Sequence, residues 1–312
     1  MEFRTLGASG LKVSAIGLGC NNFGGRIGPA ESRAVIHRAI EAGITLFDTA
    51  DLYGNRGGSE TIIGETLGAR RKDIVLATKF GMQMDDAGTL KGASRGYIAT
   101  AVEASLKRLK TDWIDLYQVH TPDPSTPIEE TLGALNDLVR AGKVRAIGTS
   151  NFSRSEIEGA DSAAGGGMTS FTSVQDEYSL LARGVEAKVL PAVRKLKLGF
   201  LPYFPLAGGL LSGKYRQGEA PPAGTRLAAP QRSPRFLNDA NLAKVEALRA
   251  FAGGRGRSLL DLAFAWLLAE PAVSSVIAGA TKPEQIDANI AASAWTLSPA
   301  ERAEASRIAE AA

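Results

Sequence analysis

The chain has 312 residues, of which 44% are hydrophobic and 22% charged, and its formal net charge is +3. These proportions are typical of a globular protein and exclude wholesale disorder. The small charge excess contains no cluster of Lys or Arg, which argues against a nucleic-acid partner. No stretch approaches the about 18 apolar residues that a membrane span needs.

The sequence also argues against a metal centre and against export. It has one cysteine, Cys20, and two histidines, His37 and His120, which are too few for a multi-thiolate or His-rich site. The first residues show no basic start, apolar run and cleavage site of the kind that a signal peptide has. We therefore expect a reduced, cytoplasmic protein without a metal. The sequence does not indicate an oligomeric state.

Short β-branched runs alternate with amphipathic helical stretches along the chain. Residues 1–13, with a turn from Gly7 to Gly10, predict a β-hairpin. Eight further strands are predicted at residues 14–19, 45–48, 74–78, 113–119, 144–148, 173–175, 200–204 and 275–277. Such repeated βα units predict a single domain over residues 1–312, a closed (β/α)8 TIM barrel whose base the hairpin covers. The alternative is an open, doubly wound sheet, but Asn22 stands where its dinucleotide fingerprint needs a third glycine.

Helix starts and loops complete this outline. In the stretch from residue 97 to 109, apolar side chains recur at helical spacing and predict one buried stripe. Three helices are predicted to begin with a cap residue followed by proline, at Gly28-Pro29, Thr126-Pro127 and Ser298-Pro299. Residues 82–92 and 216–234 are rich in Gly, Pro and polar residues and follow predicted strands. We expect them to be mobile loops over a ligand.

Four residues suited to acid–base chemistry follow three consecutive strands of the predicted barrel. They are Asp48, Tyr53, Lys79 and His120. In a barrel the carboxyl ends of adjacent strands meet at one mouth, so these side chains are predicted to be neighbours. A buried ammonium at Lys79 would stabilise the Tyr53 phenolate and lower the pKa of the phenol, and Asp48 would keep that ammonium charged. With His120 orienting a carbonyl oxygen, the set is predicted to protonate an oxyanion.

These residues belong to segments that resemble the aldo-keto reductase superfamily nearly from end to end. The segments are residues 4–7, 47–54, 78–79, 114–120, 148–152, 205–214 and 279–285. The resemblance implies a (β/α)8 barrel that binds NADP(H) across the carboxyl ends of its strands. It also implies that Tyr53 is the proton donor, that Asp48, Lys79 and His120 complete a catalytic tetrad, and that hydride passes to a carbonyl carbon.

The resemblance implies a cofactor site as well, which we carry over position by position. Its predicted members are Cys20, Asn21, Asp48, Ser150, Asn151, Gln175, Tyr203, Phe204, Pro205, Leu206, Ala207, Gly208, Lys214, Arg226, Gly279, Thr281, Gln285 and Asn289. The amide-bearing residues match those that hold the carboxamide, Tyr203 matches the residue that stacks on nicotinamide, and Lys214 and Arg226 would offset pyrophosphate charge.

The adenosine end is where this chain departs from many relatives. Gly279 and Gln285 replace basic residues there, which weakens the charge clamp on a 2′-phosphate and makes NADH a second candidate, whereas NADP(H) remains the preferred cofactor. Thr281 and Glu284 have capping-box spacing, which would aim the start of a helix at a 2′-phosphate. Near the nicotinamide, Cys20 and Asn21 replace a threonine and an aromatic residue, which leaves the shape of the substrate open.

The sequence thus predicts a reductase of aldehydes or ketones that acts on a small carbonyl or alcohol substrate. One alternative is a redox-sensing regulatory module with little turnover, against which His120 argues because the matching position in that branch is not histidine. Another is a Schiff-base lyase that uses Lys79. Five aromatic residues are candidates for either the pocket wall or the core, namely Phe23, Tyr53, Phe80, Phe152 and Phe204.

Overall fold

The computed structural model of the chain describes residues 1–229 and 233–311. It begins with the predicted hairpin, in which β1 (Phe3–Thr5) and β2 (Lys12–Ser14) are antiparallel. The turn is held by the Leu6 amide, which donates to the Leu11 carbonyl (2.9 Å). Arg4 ties the hairpin to the barrel because its guanidinium donates to the carbonyls of Val273 (2.8 Å) and Leu268 (3.0 Å).

Eight parallel strands follow and confirm the predicted barrel. They are β3 (Ile16–Gly19), β4 (Leu46–Asp48), β5 (Val75–Phe80), β6 (Ile114–Val119), β7 (Val144–Ser150), β8 (Ser173–Glu177), β9 (Gly199–Tyr203) and β10 (Val276–Gly279). Each strand from β3 to β8 pairs with the next in the chain, and β10 returns to pair with β3. Parallel strands that are buried on both faces have nearly continuous apolar sequences. These strands were therefore recognised as apolar runs and not by alternation of polar and apolar residues.

The ring is completed at one short joint. Between β9 and the segment that leads into β10, the described residues show a single bridge, from Phe200 to Val273. There the Phe200 amide donates to the Ala272 carbonyl (2.8 Å), and the Ser274 amide donates to the Phe200 carbonyl (2.9 Å). The two strands are therefore joined near the start of β9, well before their carboxyl ends.

The barrel interior is a packed core that the hairpin helps to fill. Its fully or nearly buried residues are Leu6, Leu11, Val13, Leu46, Ala77, Leu116, Ala146, Leu201 and Ile277. Leu6, Leu11 and Val13 belong to the hairpin, so the hairpin closes the end of the barrel opposite the carboxyl ends of the strands. Burying such side chains contributes about 1.5–3 kcal/mol each.

Helices cover the outside of the barrel. They are α1 (Pro29–Glu41), α2 (Tyr53–Leu67), α3 (Arg95–Leu109), α4 (Ile128–Arg140), α5 (Arg154–Ala163), α6 (Val185–Lys188), α7 (Leu190–Lys195), α8 (Ser233–Phe236), α9 (Asp239–Gly253), α10 (Leu259–Leu268), α11 (Pro283–Ala292) and α12 (Pro299–Ala311). In α3 the predicted stripe is buried, formed by Ile98, Val102, Leu106 and Leu109. The periodicity therefore identified the face that packs on the barrel.

All eight barrel strands differ from prediction by one or two residues at one or both ends, and the start of α4 differs as well. Ser14, for example, ends the hairpin, Phe204 follows β9, and Ser275 precedes β10. The N-cap of α4 is Pro127, because the Thr126 hydroxyl donates to the Asp123 carboxylate (2.7 Å) in the preceding turn. The starts of α1, after Gly28, and of α12 are as predicted. At α12, Ser298 and Glu301 exchange backbone and side-chain hydrogen bonds.

The two predicted loops lie after β5 and β9. In residues 82–92, Asp85 accepts hydrogen bonds from the amides of Thr89 (2.9 Å) and Leu90 (3.0 Å), which shapes a turn. Residues 216–229 contain a short 3-10 turn at Arg226–Ala228, and α8 begins at Ser233. Residues 230–232 of the second predicted loop lie outside the described residues. The mobility of both loops stays a prediction.

Candidate active site

A buried ion pair lies at the centre of the site. Lys79 extends from β5, and its Nζ donates to Oδ2 of Asp48 (2.7 Å) at the end of β4 and to the Thr49 carbonyl (2.8 Å). Lys79 is 0% exposed and Asp48 3% exposed. Taking a lysine out of water is costly unless a carboxylate and further acceptors compensate it, and both are present here.

Two amide side chains complete the shell around Asp48. Gln118 of β6 and Gln175 of β8 donate to its Oδ1, at 3.2 and 2.9 Å. Sequence reasoning selected Gln175 but missed Gln118, although a glutamine inside a predicted buried strand is itself a signal for a polar partner. In the sheet Gln118 lies opposite Lys79 on the neighbouring strand. The side chains of Lys79, Gln118 and Gln175 together hold the carboxylate in one orientation.

Tyr53 and His120 lie against this ion pair. The Lys79 Nζ is 5.1 Å from the centre of the Tyr53 ring, and the rings of Tyr53 and His120 meet edge to face with centres 5.7 Å apart. The main chain of His120 is fixed because its amide donates to the Phe80 carbonyl (2.8 Å) and its carbonyl accepts from the side-chain amide of Asn151 (2.9 Å). The four residues predicted from strand ends are thus brought together.

The electrostatics of the tetrad correct one expectation. Burial raises the pKa of the Tyr53 phenol, and the charge of Lys79 opposes this only in part, so the predicted net lowering is not observed. Burial would lower the pKa of Lys79, but the charge of Asp48 and the contact with Tyr53 outweigh it and raise that pKa. At neutral pH the pair is therefore a protonated phenol beside an ammonium.

His120 is neutral in this environment. Burial, with a smaller contribution from the charge of Lys79, lowers the pKa of His120 to about 3. Its Nδ1 is buried and has no hydrogen-bond partner among the described residues. Buried polar nitrogens are nearly always satisfied, so this atom marks a place where a ligand or water completes the site.

A left-handed turn follows Tyr53 directly. Gly54, Asn55, Arg56 and Gly57 have φ values of 69°, 60°, 64° and 114°. A Cβ on Gly54 would lie 2.5 Å from the Phe23 carbonyl oxygen, so glycine is required there. Non-glycine residues in this conformation cost about 1 kcal/mol or more each and often lie beside functional groups. The sequence offered no signal for this turn beyond its glycines.

A cavity of about 560 Å³ opens over the tetrad at the carboxyl ends of the strands. Asp48, Tyr53 and His120 line it, whereas Lys79 lies behind them. Within the described part of the chain, every residue predicted for the cofactor site lines this cavity except Ala207, which is buried in the 3-10 turn at Ala207–Ser212. The lining residues that sequence reasoning missed are Gly19, Asn22, Arg26, Gly209, Ser212, Leu260, Ile277, Ala278 and Ala288.

The rim of the cavity carries three cationic side chains. Arg226 donates to Oδ1 of Asn22 (2.6 Å), and Arg26 donates to the Gly224 carbonyl (2.7 Å), so the loop after β3 and the segment before α8 contact each other twice. Burial lowers the pKa of Lys214, and the charges of Arg26 and Arg226 lower it further. This part of the cavity is thus strongly positive.

The end of the cavity near α11 corrects another prediction. Pro283 begins α11, and Lys282 is its N-cap. The amide and hydroxyl of Thr281 both donate to Oε1 of Gln285, at 2.7 and 3.3 Å. The predicted capping box between Thr281 and Glu284 therefore does not form among these described residues, because the Gln285 side chain, one position further along, accepts the hydrogen bonds of Thr281 instead.

The aromatic candidates separate into two groups. Tyr53 and Phe204 line the cavity, as does Tyr203, whose hydroxyl donates to the side-chain oxygen of Asn151 (2.8 Å). The remaining three are buried in the core, namely Phe23, Phe80 and Phe152. Of the two alternatives that the sequence left open, pocket wall and core, these three residues belong to the core.

The residues present fit a nicotinamide dinucleotide. Amide side chains near Tyr53 match a carboxamide, Tyr203 offers a flat ring, and the cationic rim matches phosphate groups. Gly208 lines the cavity with a φ of +70°, and a Cβ there would lie 3.0 Å from Leu227, which favours glycine at this position. Among the residues that the structure describes, we find neither a cluster suited to a metal ion nor a helix long and apolar enough to cross a membrane.

This chain is similar to known proteins over nearly its full length. The model of the "Aldo/keto reductase family" matches residues 15–310. A probable voltage-gated potassium channel subunit beta of Oryza sativa subsp. japonica is 39% identical over 94% of this chain and 91% of its own. Aldo-keto reductase YhdN of Bacillus subtilis is 37% identical over 99% and 94%. The L-glyceraldehyde 3-phosphate reductase of Escherichia coli K12 is 33% identical over 94% and 87%.

The match to the family model covers the barrel strands, the tetrad positions and the cavity. The named reductases among the relatives are oxidoreductases of the same length range. Fold, site and relatives therefore agree, and the chain belongs to the aldo/keto reductase family of oxidoreductases.

Proposed function

We propose that this protein reduces an aldehyde or ketone to the alcohol with NADPH, and that Tyr53 donates the proton. The observation that carries the proposal is the fully buried Lys79 ammonium, fixed by Asp48 at 2.7 Å and lying over the Tyr53 ring. A cation placed there stabilises the phenolate that remains once the phenol gives up its proton.

The chemistry balances with the residues present. Tyr53 keeps its proton at neutral pH because burial raises its pKa, and it transfers that proton to the carbonyl oxygen as negative charge develops there. The neutral His120 imidazole donates a hydrogen bond to the same oxygen and orients it. Bound NADPH would supply the hydride to the carbonyl carbon. Tyr53 then regains a proton from solvent, and Lys79 remains charged throughout.

The residues that would hold the dinucleotide follow from the chemistry of the lining. Ser150, Asn151 and Gln175 offer hydroxyl and amide groups to a carboxamide. Tyr203 offers a stacking face, and the cationic rim offers charge to the phosphates. NADP(H) is the proposed cofactor, with NAD(H) as the second candidate, since Gln285 is neutral and already engaged with Thr281.

A regulatory role is the second candidate function. It is favoured by the 39% identity to proteins of rice and Arabidopsis named as probable potassium channel beta subunits. In that case dinucleotide binding would persist while turnover of carbonyl substrates would be negligible. The tetrad geometry favours the reductase, because His120 completes it beside Tyr53, with ring centres 5.7 Å apart.

The test compares Tyr53→Phe with wild type in both reaction directions, on a panel of aldehydes, diketones and cyclic ketones. We expect kcat to fall about 1,000-fold with dinucleotide affinity unchanged, since only the proton donor is lost. Tyr97→Phe, which removes a phenol from α3, is the matched control and should keep wild-type rates. Turnover of Tyr53→Phe within about tenfold of wild type would remove Tyr53 as the acid. A wild type that binds the dinucleotide but turns over nothing on the panel would favour the regulatory role.

A further inference from the structure

The end of the barrel opposite the cavity is formed by segments that lie far apart in the sequence. They are the hairpin and the turns that lead into β5, β6 and β7, which are residues 1–14, 68–74, 110–113 and 141–143. In a barrel such turns lie at the amino ends of the parallel strands, whereas the carboxyl ends form the mouth. The hairpin closes the same end, and we call these residues together the basal face.

Hydrogen bonds between neighbouring turns make the basal face continuous. Arg71, in the turn before β5, donates to the Trp113 carbonyl in the turn before β6 (2.8 Å). The Ile114 amide then donates to the Lys143 carbonyl in the turn before β7 (2.9 Å). The charged residues of these turns are therefore held at one surface, although the sequence disperses them.

This surface is basic. Exposed cations that form no ion pair among the described residues lie on it or in the helix ends that lead to it, namely Lys12, Lys72, Lys107, Lys110 and Arg140. The acidic residues of its three turns are Asp73, which pairs with Arg70 (2.5 Å), and Asp112. The helix dipole favours cations in the last turn of a helix, but Lys12 lies on a strand, so the dipole alone does not explain the pattern.

The basal face also exposes apolar side chains. Phe3 is 52% exposed and Met1 42% exposed, and among the described residues Leu90 is the one other large hydrophobic residue that is exposed. Arg4 of β1 faces the barrel, where its guanidinium is bonded to two carbonyls, so the adjacent Phe3 faces away from it. Aromatic side chains among cations suit a lipid surface, because the ring enters the headgroup region while the cations meet the phosphates.

We propose that the basal face binds the surface of an anionic lipid bilayer, with Phe3 entering the headgroup region and Lys12 and Lys72 facing the lipid phosphates. A bilayer fits better than a nucleic acid, because Met1 offers no face for base stacking, whereas both apolar side chains can be buried at the edge of the acyl chains. The cavity opens at the other end of the barrel and remains in water. The inference therefore does not depend on the proposed function.

The experiment measures how much of the full chain sediments with lipid vesicles. Vesicles of equal parts of phosphatidylcholine and phosphatidylglycerol are compared with vesicles of phosphatidylcholine alone. We expect binding to the anionic vesicles only, and release as NaCl rises from about 0.05 to about 0.5 M, because salt screens the surface charge. The double variant Lys12→Glu with Lys72→Glu should bind at least about 30-fold more weakly, as the removal of two cations from an anionic surface predicts.

The charge-matched control is Lys91→Glu with Lys188→Glu. Both lysines are exposed and form no ion pair in the part of the chain that the structure describes. Lys91 lies in the loop after β5, and Lys188 lines a cleft with Asn151, so both belong to the mouth side of the barrel. This control should bind anionic vesicles as wild type does. An equal loss in the control would show that overall charge acts and not the basal face, which overturns the inference.

Phe3→Ser tests the apolar contribution and should weaken vesicle binding about tenfold. Circular dichroism of each variant during urea unfolding verifies that these exposed substitutions leave the fold intact. Unchanged binding of Phe3→Ser would overturn the bilayer as the occupant of this face. A wild type that stays in the supernatant with anionic vesicles overturns the inference outright, and binding of duplex DNA without binding of vesicles overturns it in favour of a nucleic acid. Carbonyl turnover enters none of these measurements, so the proposed function stands or falls separately.

Discussion

Asp51 offers a sharp test of how burial controls charge beside the tetrad. It lies two residues before Tyr53 and is 1% exposed, and neither of its carboxylate oxygens has a hydrogen-bond partner among the described residues. Burial, reinforced by the carboxylate of Glu60, raises the pKa of Asp51 from 3.8 to about 7, although Arg108 and Lys79 oppose the shift. The charge of Asp51 also contributes to raising the pKa of Tyr97 and of Tyr117.

The sign of the pH dependence follows from linkage. Below about pH 4 the carboxyl group is protonated in both the folded and the unfolded chain, so it costs nothing. Between about pH 4 and pH 7 only the unfolded chain ionises, and the free energy of unfolding falls by about 1.4 kcal/mol per pH unit. Above pH 7 the ionised Asp51 lowers the free energy of unfolding by its full amount of about 4 kcal/mol. This is the energy that corresponds to raising its pKa from 3.8 to about 7.

Asp51→Asn removes this titration. We expect the variant to gain stability relative to wild type as pH rises, with the difference in free energy of unfolding about 3 kcal/mol larger at pH 8 than at pH 5. Urea unfolding followed by circular dichroism at both pH values measures it. Asp161→Asn, which removes an exposed carboxylate on α5, is the control. A difference between Asp51→Asn and wild type that stays constant from pH 5 to pH 8 would refute the reasoning.

Two further predictions concern the tetrad and the helix packing. With His37 replaced by Gln, the His120 ring becomes the sole imidazole in the proton NMR spectrum, and its shifts should stay constant from pH 8 to pH 5 because its pKa lies near 3. A midpoint near pH 6.5 would contradict this. Gly64→Ala in α2 should lose about 2 kcal/mol of stability, since the new Cβ would lie 2.4 Å from the Arg108 carbonyl oxygen of α3. Gly159→Ala in α5, where nothing lies within 4 Å, should gain about 0.5–1 kcal/mol.

The barrel and the position of its tetrad were predictable because both follow from chain order. Once eight βα units are recognised, Asp48, Lys79 and His120 at successive strand ends must meet at one mouth. The balance of forces on Tyr53 was not predictable in the same way. Whether burial or the nearby ammonium dominates its pKa depends on how much water reaches the phenol, and only packing decides that.

Contacts between distant loops were equally hidden from the sequence. Arg26 reaches the cavity because its loop bonds to Gly224, almost 200 residues away in the chain. The capping box at Thr281 failed for a local reason, since Gln285 competes for the same donors and spacing rules do not rank competitors.

The joint between Phe200 and Val273 has a consequence for how the molecule matures. Among the described residues β9 and the segment before β10 are joined by this one bridge, and Tyr203 of β9 and Gly279 of β10 both line the cavity. During synthesis on the ribosome, the tetrad strands emerge long before β10. The part of the cavity wall that Gly279 contributes is therefore synthesised after all four residues of the tetrad.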